Sequence, residues 1–241
     1  MSVADAFGRA AHYDAHAAVQ RIVAEKLADR ILALPLPPDP RVLEIGCGTG
    51  FLGLELVDNL EPSHWRMTDI APAMVDRARQ RLDDRANVSF AVMDGEHPDV
   101  AGRFDLICSS LTFQWFGDLP AAVARLRRRL SPRGSLVFTT LAEGSFFEWR
   151  RAHGDLAPGT RDYPSTEALA AMGLEVEIET IPMAHKSARE FLRSVKGIGA
   201  GTPRDGHRPL TPSELRGVMG RFEAKGCVAS YVVATCVAGP L

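Results

Sequence analysis

Three carboxylates and three glycines carry the chemistry that is legible first. Glu44 opens the stretch Glu44-Ile45-Gly46-Cys47-Gly48-Thr49-Gly50, where a glycine recurs at every second position. Asp69 closes the segment His64-Trp65-Arg66-Met67-Thr68-Asp69, and Asp94 follows Val88-Ser89-Phe90-Ala91-Val92-Met93. Glycines in such a loop admit left-handed backbone angles and let a ligand approach the main chain. An acid two residues before the loop suits a cationic ligand and opposes a pyrophosphate. An acid ending the next strand accepts hydrogen bonds from both hydroxyls of a ribose. Two plainer readings stand beside this one. Gly48, Gly50 and Gly53 also spell the dinucleotide pattern GxGxxG, and a tight turn that binds nothing needs the same residues. Asp94 equally suits a turn cap.

The elements that must position these residues alternate. Strand-like runs at 42–45, 64–69, 88–92, 104–109 and 134–140 are separated by helical patterns at 51–59, 73–82 and 119–130. That alternation predicts a parallel sheet with helices packed on it, whose ligands collect at the carboxyl ends of the strands. Val19, Ile22, Val23, Leu27, Ile31 and Leu34 predict a leading helix stopped at Pro35. Beyond residue 141 a short helix at 146–153 and another at 166–172 precede a strand at 175–181, and a last strand covers 228–237. Between those two strands lies an insertion of about 45 residues, with helices at 187–195 and 212–225; loops this long in a compact domain are usually functional. The fold expected is α/β: a doubly wound, mostly parallel, Rossmann-like seven-stranded sheet with a helical cap inserted between the last two strands. The divisions are an N-terminal lid segment and helix (1–40), a core (41–185), the cap (186–226) and a final core strand (227–241).

A chain of 241 residues buries one substantial core. Its 46% apolar and 24% charged content is ordinary for a globular protein. A net charge of −2 argues against a polyanion-coating surface, so nucleic acid is not an expected partner. No run of 18 apolar residues and no signal-peptide pattern at Met1-Ser2-Val3 is present, which predicts a cytoplasmic protein that does not enter a membrane. Cys47, Cys108, Cys227 and Cys236 lack CxxC spacing and read as small buried residues, not a metal site. Arg125, Arg127, Arg128 and Arg129 read as a solvated helix face. Arg189, Arg193 and Lys196 share one helix face opposite Ala188, Phe191, Leu192 and Val195, and read either as a solvated stripe or as a docking surface for an acidic partner.

The acid–glycine pattern resembles motif I of the S-adenosylmethionine-dependent methyltransferases. Three further stretches resemble a narrower family. The leader Phe7-Gly8-Arg9-Ala10-Ala11-x-Tyr13-Asp14-x-His16-Ala17-x-x-Gln20 is similar to the amino terminus of the malonyl-[acyl-carrier protein] O-methyltransferases of biotin synthesis. Leu111-x-x-Gln114-Trp115 resembles that family's segment after the fourth strand. Phe138-Thr139-Thr140-Leu141-x-x-Gly144-Ser145 and Ser194-Val195-Lys196-Gly197-Ile198-Gly199-Ala200 match its late region, with Gly201-Thr202 departing from the family's usual Ala-Thr or Ala-Asn. An Asn/Asp-Pro-Pro-aromatic motif, usual in base N-methyltransferases, is missing after strand four.

The resemblance implies S-adenosylmethionine as cofactor and methyl transfer to the free carboxylate of malonyl carried on an acyl-carrier protein. It implies a cofactor set of Glu44, Gly46, Cys47, Gly48 and Gly50 from the loop. Asp69, Ile70 and Met74 follow strand two; Asp94, Gly95 and Ser109 complete the set. A carboxylate acceptor is already ionised near neutral pH, so no base is required; alignment and exclusion of water suffice. Tyr13, Arg9, Gln114 and Trp115 are the expected positioning groups, with Arg150 and Arg161 as further candidates for the counter-cation. Arg189, Arg193 and Lys196 form the expected carrier-docking face, and the chain is expected to act as a monomer. The alternatives are a methyltransferase for another small acid or a quinone ring, a scaffold that binds the cofactor without turnover, and a nicotinamide oxidoreductase.

Overall fold

The computed structural model describes residues 18–60, 63–82, 85–197 and 207–241. In chain order the elements are α1 (Ala18–Leu32), β1 (Arg41–Ile45), α2 (Phe51–Leu56), β2 (His64–Asp69), α3 (Pro72–Leu82), β3 (Val88–Val92) and β4 (Phe104–Ser109). A 3-10 turn (Phe113–Trp115) leads to α4 (Leu119–Arg127), β5 (Leu130–Leu141), α5 (Phe147–Ala152) and α6 (Thr166–Ala170). Then come β6 (Glu175–Ala184), α7 (Ala188–Gly197), α8 (Pro212–Glu223) and β7 (Val228–Ala238). The strands form one seven-stranded sheet in the order β3-β2-β1-β4-β5-β7-β6. β1 pairs in parallel with β2 and β4, β2 with β3, and β4 with β5. The order turns back on itself at β1 and β4, which opens a crevice at the carboxyl ends of those strands.

Two compact units divide the chain. The first comprises Gln20–Thr140, Glu167–Glu177 and Ala234–Leu241. Its core is built as the apolar spacing predicts: Leu27 and Ile31 of α1, Val42 of β1, Leu52 and Leu56 of α2, Met67 of β2, and Ala78 and Leu82 of α3 belong to one buried cluster. The run Val42-Leu43-Glu44-Ile45 is buried at every position, as a central parallel strand covered on both faces must be. Pro72 begins α3, where its missing N–H costs nothing.

The second unit is drawn from Leu141–Thr166 and Ile178–Val233 and so holds the described part of the expected cap. Its interior is aromatic. Phe191 of α7 packs against Trp149 and Phe222 at ring-centroid distances of 5.3 Å each, and Phe146 meets Tyr231 edge-on at 4.7 Å. α8 starts on a capping box, with Thr211 and Glu214 exchanging side-chain-to-backbone bonds and Pro at the first turn. Glu148 pins α5 to β7 by accepting from the Ser230 N–H at 2.9 Å and from its hydroxyl at 2.5 Å.

One element differs from the sequence expectation. The spacing predicts a helix to residue 130 and a strand from 134, whereas α4 ends at Arg127 and β5 starts at Leu130. Pro132 and Gly134 sit inside that strand, where the register with β4 shifts between Phe104 and Leu106. A Cβ on Gly134 would lie 2.6 Å from the Phe104 carbonyl, so the close approach at this bulge requires glycine. Residues that break regular structure in a sequence scan here shape a bulge.

Candidate ligand site at the carboxyl edge of the sheet

The alternating glycines do what their spacing requires. Gly46, Gly48 and Gly50 have φ of +63°, +56° and +87°, all in the left-handed region. The loop is closed by Cys47 N–H donating to the Thr68 carbonyl at 2.8 Å and Gly50 N–H donating to the Cys47 carbonyl at 2.8 Å. Gly53 has another task. A Cβ there would lie 2.0 Å from Met67 Cε and 3.3 Å from Glu44 Oε2, so this glycine lets α2 settle on the sheet. The GxGxxG spelling thus arises from helix packing.

The three acids are held differently. Asp69 Oδ2 accepts from the Gly48 N–H at 2.9 Å and Oδ1 from the Ala71 N–H at 2.8 Å. A carboxylate offers about four acceptor positions, so about two remain for a ligand. Burial raises the Asp69 pKa, while the amides of Ala71, Gly48 and Ile70 pull it back. Glu44 is 2% exposed and its Oε2 has no hydrogen-bond partner. Burial, and then the charge of Asp69, push its pKa up to about 8. Its free oxygen faces Gly53 beneath α2. Asp94 caps a turn: Oδ1 accepts from the Glu96 N–H at 2.9 Å, and His97 Nδ1 lies 2.9 Å from Oδ2.

The remaining expected cofactor residues divide in two. Ile70 is 40% exposed beside Asp69. Met74 and Ser109 are wholly covered by protein, and the Ser109 hydroxyl donates to the Ile45 carbonyl at 2.7 Å. In this structure both side chains lie behind the edge of the sheet, not on its surface. Cys47 is buried, its thiol pushed up by burial and by the charges of Glu44 and Asp69, and is held un-ionised. A Cβ on Gly95 would lie 2.3 Å from Ile45 Cγ2, so that glycine lets the loop after β3 close on β1.

Among the expected positioning groups, Arg9 and Tyr13 lie outside the described residues. Gln114 and Trp115 fall in the 3-10 turn after β4. Gln114, one of the candidates to position the acceptor carboxylate, donates its Nε2 to the Leu111 carbonyl at 2.6 Å, and its Oε1 is buried without a partner. The open end of this side chain is an acceptor, which repels a carboxylate. Arg150 is also committed. It donates to the Arg161 carbonyl at 3.2 Å and pairs with Asp162 at 2.8 Å.

The basic groups on α4 are not a solvated face throughout. Arg125 donates to the Glu96 carbonyl at 2.9 Å, and Arg127 to the carbonyls of Gly239 and Met172 at 2.8 and 3.1 Å. On α7 the result is opposite: Arg189 and Arg193 are exposed and enter no hydrogen bond or ion pair among the described residues. Lys196 belongs to the same helix.

Sequence reasoning missed several supports of the loop. Leu111 has φ of +50° and donates its N–H to Thr139 Oγ1 at 3.0 Å. Thr112 Oγ1 donates to the Gly46 carbonyl at 3.1 Å and fills the space a Gly46 Cβ would need, 2.3 Å away. Arg81 donates to Thr49 Oγ1 at 3.0 Å and lies 4.4 Å over the Phe51 ring. These partners are 28 to 66 residues apart in sequence, and no local spacing signals them.

What the described side chains leave open at this edge are acceptors, part of the Asp69 carboxylate and the Gln114 oxygen, with the unpartnered Glu44 oxygen behind them. The fold and the loop define a class I methyltransferase, and residues 42–134 match the family described as a methyltransferase domain. Comparison with relatives narrows the class. The chain is 42% identical to the malonyl-[acyl-carrier protein] O-methyltransferase of Magnetococcus marinus over 88% of this chain and 82% of that one. It is 48% identical to the biotin biosynthesis bifunctional protein BioCD of Bordetella avium over 95% of this chain, and spans 50% of that longer protein. The chain belongs to the malonyl-[acyl-carrier protein] O-methyltransferase family. The fold recurs, with a TM-score of 0.63 and 20% identity over 100% of this chain and 98% of the other, in a methyltransferase solved with the Trm112 activator of Haloferax volcanii. Among the described residues no helix is long and apolar enough to cross a membrane.

Proposed function

We propose that the chain methylates the free carboxylate of a malonyl thioester carried on acyl-carrier protein, in the cytoplasm, as an early step of biotin synthesis. One observation carries the cofactor half of this reading. Asp69 spends half of its acceptor capacity on the glycine loop and offers the other half beside a second, unpaired buried acid. That arrangement suits a ligand with a vicinal diol and a positive charge, and disfavours a pyrophosphate. Membership of the family supports the acceptor half.

S-adenosylmethionine supplies an electrophilic methyl group on a sulfonium. The residues of the chain bind, orient and exclude water. Asp69 takes the ribose hydroxyls, and its two backbone bonds keep the carboxylate aimed while it does so. Asp94 and the Gly95 backbone read the adenine edge. Glu44 stabilises the positive end by its field when ionised. No residue need accept a proton from the nucleophile, since a carboxylate is ionised near neutral pH. The gain comes from alignment at about 3–3.5 Å between the reacting atoms. Tyr13, Arg9 and Trp115 are the proposed anchors of the malonyl group. Residues 186–226 contribute the docking helix, where the free guanidinium groups of Arg189 and Arg193, with Lys196, meet an acidic carrier and steer its approach.

The test is incubation with S-adenosylmethionine and malonyl-carrier protein, followed by mass spectrometry of the carrier. A gain of one methyl, removed by mild ester hydrolysis, is expected. Methylation of a free small dicarboxylate in preference to the thioester would overturn the acceptor assignment and leave the cofactor standing.

A further inference from the structure

The turn after β4 is held in a costly shape by groups that have no other evident task. Leu111 is a branched residue in the left-handed region, and strain of that kind persists only where the surroundings over-determine it. Here they do. Thr139 takes the Leu111 N–H through both its hydroxyl and its carbonyl, at 3.0 and 3.2 Å. Thr112 ties the same turn to the Gly46 carbonyl of the glycine loop. Leu111 then presents its carbonyl to Gln114 Nε2 at 2.6 Å. This bond decides which way the amide faces, because an amide oxygen set against that carbonyl would be repelled. The result is an oriented Oε1, buried and accepting nothing. A buried acceptor left unpaired is unfavourable and calls for an explanation, of which a ligand's donor is one.

The sheet order says which partner. Asp69 ends β2 and Asp94 follows β3, both on one side of β1, whereas Gln114 follows β4 on the other side. A ligand whose ribose and adenine lie at β2 and β3 carries its amino-acid end across β1 toward β4. We propose that Gln114 accepts a hydrogen bond from the α-ammonium group of S-adenosylmethionine and so sets the direction of the methionine arm. This rests on the methyltransferase reading above and moves Gln114 from the acceptor side of the reaction to the cofactor side.

Calorimetry with S-adenosylhomocysteine and its deamino analogue tests the assignment. The wild type should bind S-adenosylhomocysteine more tightly than the analogue. Gln114→Met should weaken S-adenosylhomocysteine about tenfold, the size of one charge-assisted bond, and leave the analogue unchanged. Gln114→Glu, like Gln114→Met, gives up the bond to the Leu111 carbonyl but keeps an acceptor, so discrimination between the two ligands retained in it and lost in Gln114→Met would separate a lost contact from a disturbed turn. Equal losses on both ligands in both variants would overturn the proposal. So would unchanged S-adenosylhomocysteine binding with a raised KM for malonyl-carrier protein, which would put the donor on the acceptor's arm. A wild type that binds neither compound would instead bring down the cofactor reading, and this assignment with it.

Discussion

The two units handle buried ionisable groups in opposite ways. In the glycine-loop unit, burial raises the pKa of acids: Glu44 is pushed up to about 8 and Asp69 is raised as well. In the second unit, burial lowers the pKa of bases. His153 is held down by desolvation, with His207, Arg221 and Arg150 adding to the effect, and His185 is held down by desolvation against the pull of Glu190. Both tendencies favour the neutral form, but they differ in what relieves them. Glu44 lacks a partner, and a cationic ligand would supply one. The cations near His153 are already engaged: Arg221 donates to the Ala152 and His153 carbonyls, and Arg150 pairs with Asp162. Unpartnered buried atoms occur in both units, Glu44 Oε2 in the first and His185 Nε2 in the second, but the acid adjoins the glycine loop whereas the imidazole lies against the Phe191 ring of an aromatic interior.

The largest expected effect breaks that packing. Phe191→Ala removes a ring that touches Phe146, Trp149 and Phe222, and should cost about 3–5 kcal/mol. Hydrogen exchange should show early opening of 141–166, 178–197 and 207–233 while the first unit still binds S-adenosylhomocysteine. Loss of that binding in the folded variant would mean the units are not separable in this sense.

Asp69→Ala comes next. On the proposed reading it removes two hydrogen bonds to the ribose, and it frees the Gly48 and Ala71 amides. At about 1.5–3 kcal/mol per charge-assisted bond, the Kd for S-adenosylmethionine should rise at least about a hundredfold in calorimetry.

The pH contrast between the units follows from the directions of the shifts. Glu44 keeps its proton in the folded chain after the unfolded chain has released it. The stability from this group is therefore full below pH 4.5 and is lost as pH rises toward 8. His153 and His185 act in the other direction: the unfolded chain takes protons that the folded chain refuses, so stability falls as pH drops below 6.5. Hydrogen exchange should open the glycine-loop unit at the alkaline end and the second unit at the acidic end. S-adenosylmethionine, by favouring ionised Glu44, should bind about tenfold more tightly per pH unit up to about 8. Glu44→Gln should flatten that dependence, and a flat profile in the wild type would remove Glu44 from the account.

The smallest effect sits on the surface. Arg193→Glu should raise the KM for malonyl-carrier protein by roughly three- to tenfold, since a rim charge acts mainly on association. Its kcat and the reaction with malonyl-CoA should stay unchanged; equal effects on both substrates would place the docking face elsewhere.

The left-handed turns at Gly46, Gly48 and Gly50 and the strand-end places of Glu44 and Asp69 could be read from the chain alone because they are local. A left-handed turn needs glycine where it turns, and an acid at a strand end lies at the edge where the crevice opens. The alternation of strand and helix likewise foretold the order of elements up to β4. The bulge in β5, the tethering of Arg125 and Arg127 to distant carbonyls, the withdrawal of Met74 and Ser109 into the core and the facing of Gln114 were not legible in this way. The facing of Gln114 is set by Leu111, three residues away, in a turn that Thr139 holds from 28 residues off, and the others rest on packing that only folding brings about. Composition and spacing name the groups available for chemistry; the assembled sheet decides which atoms remain unsatisfied, and those are the atoms a ligand meets.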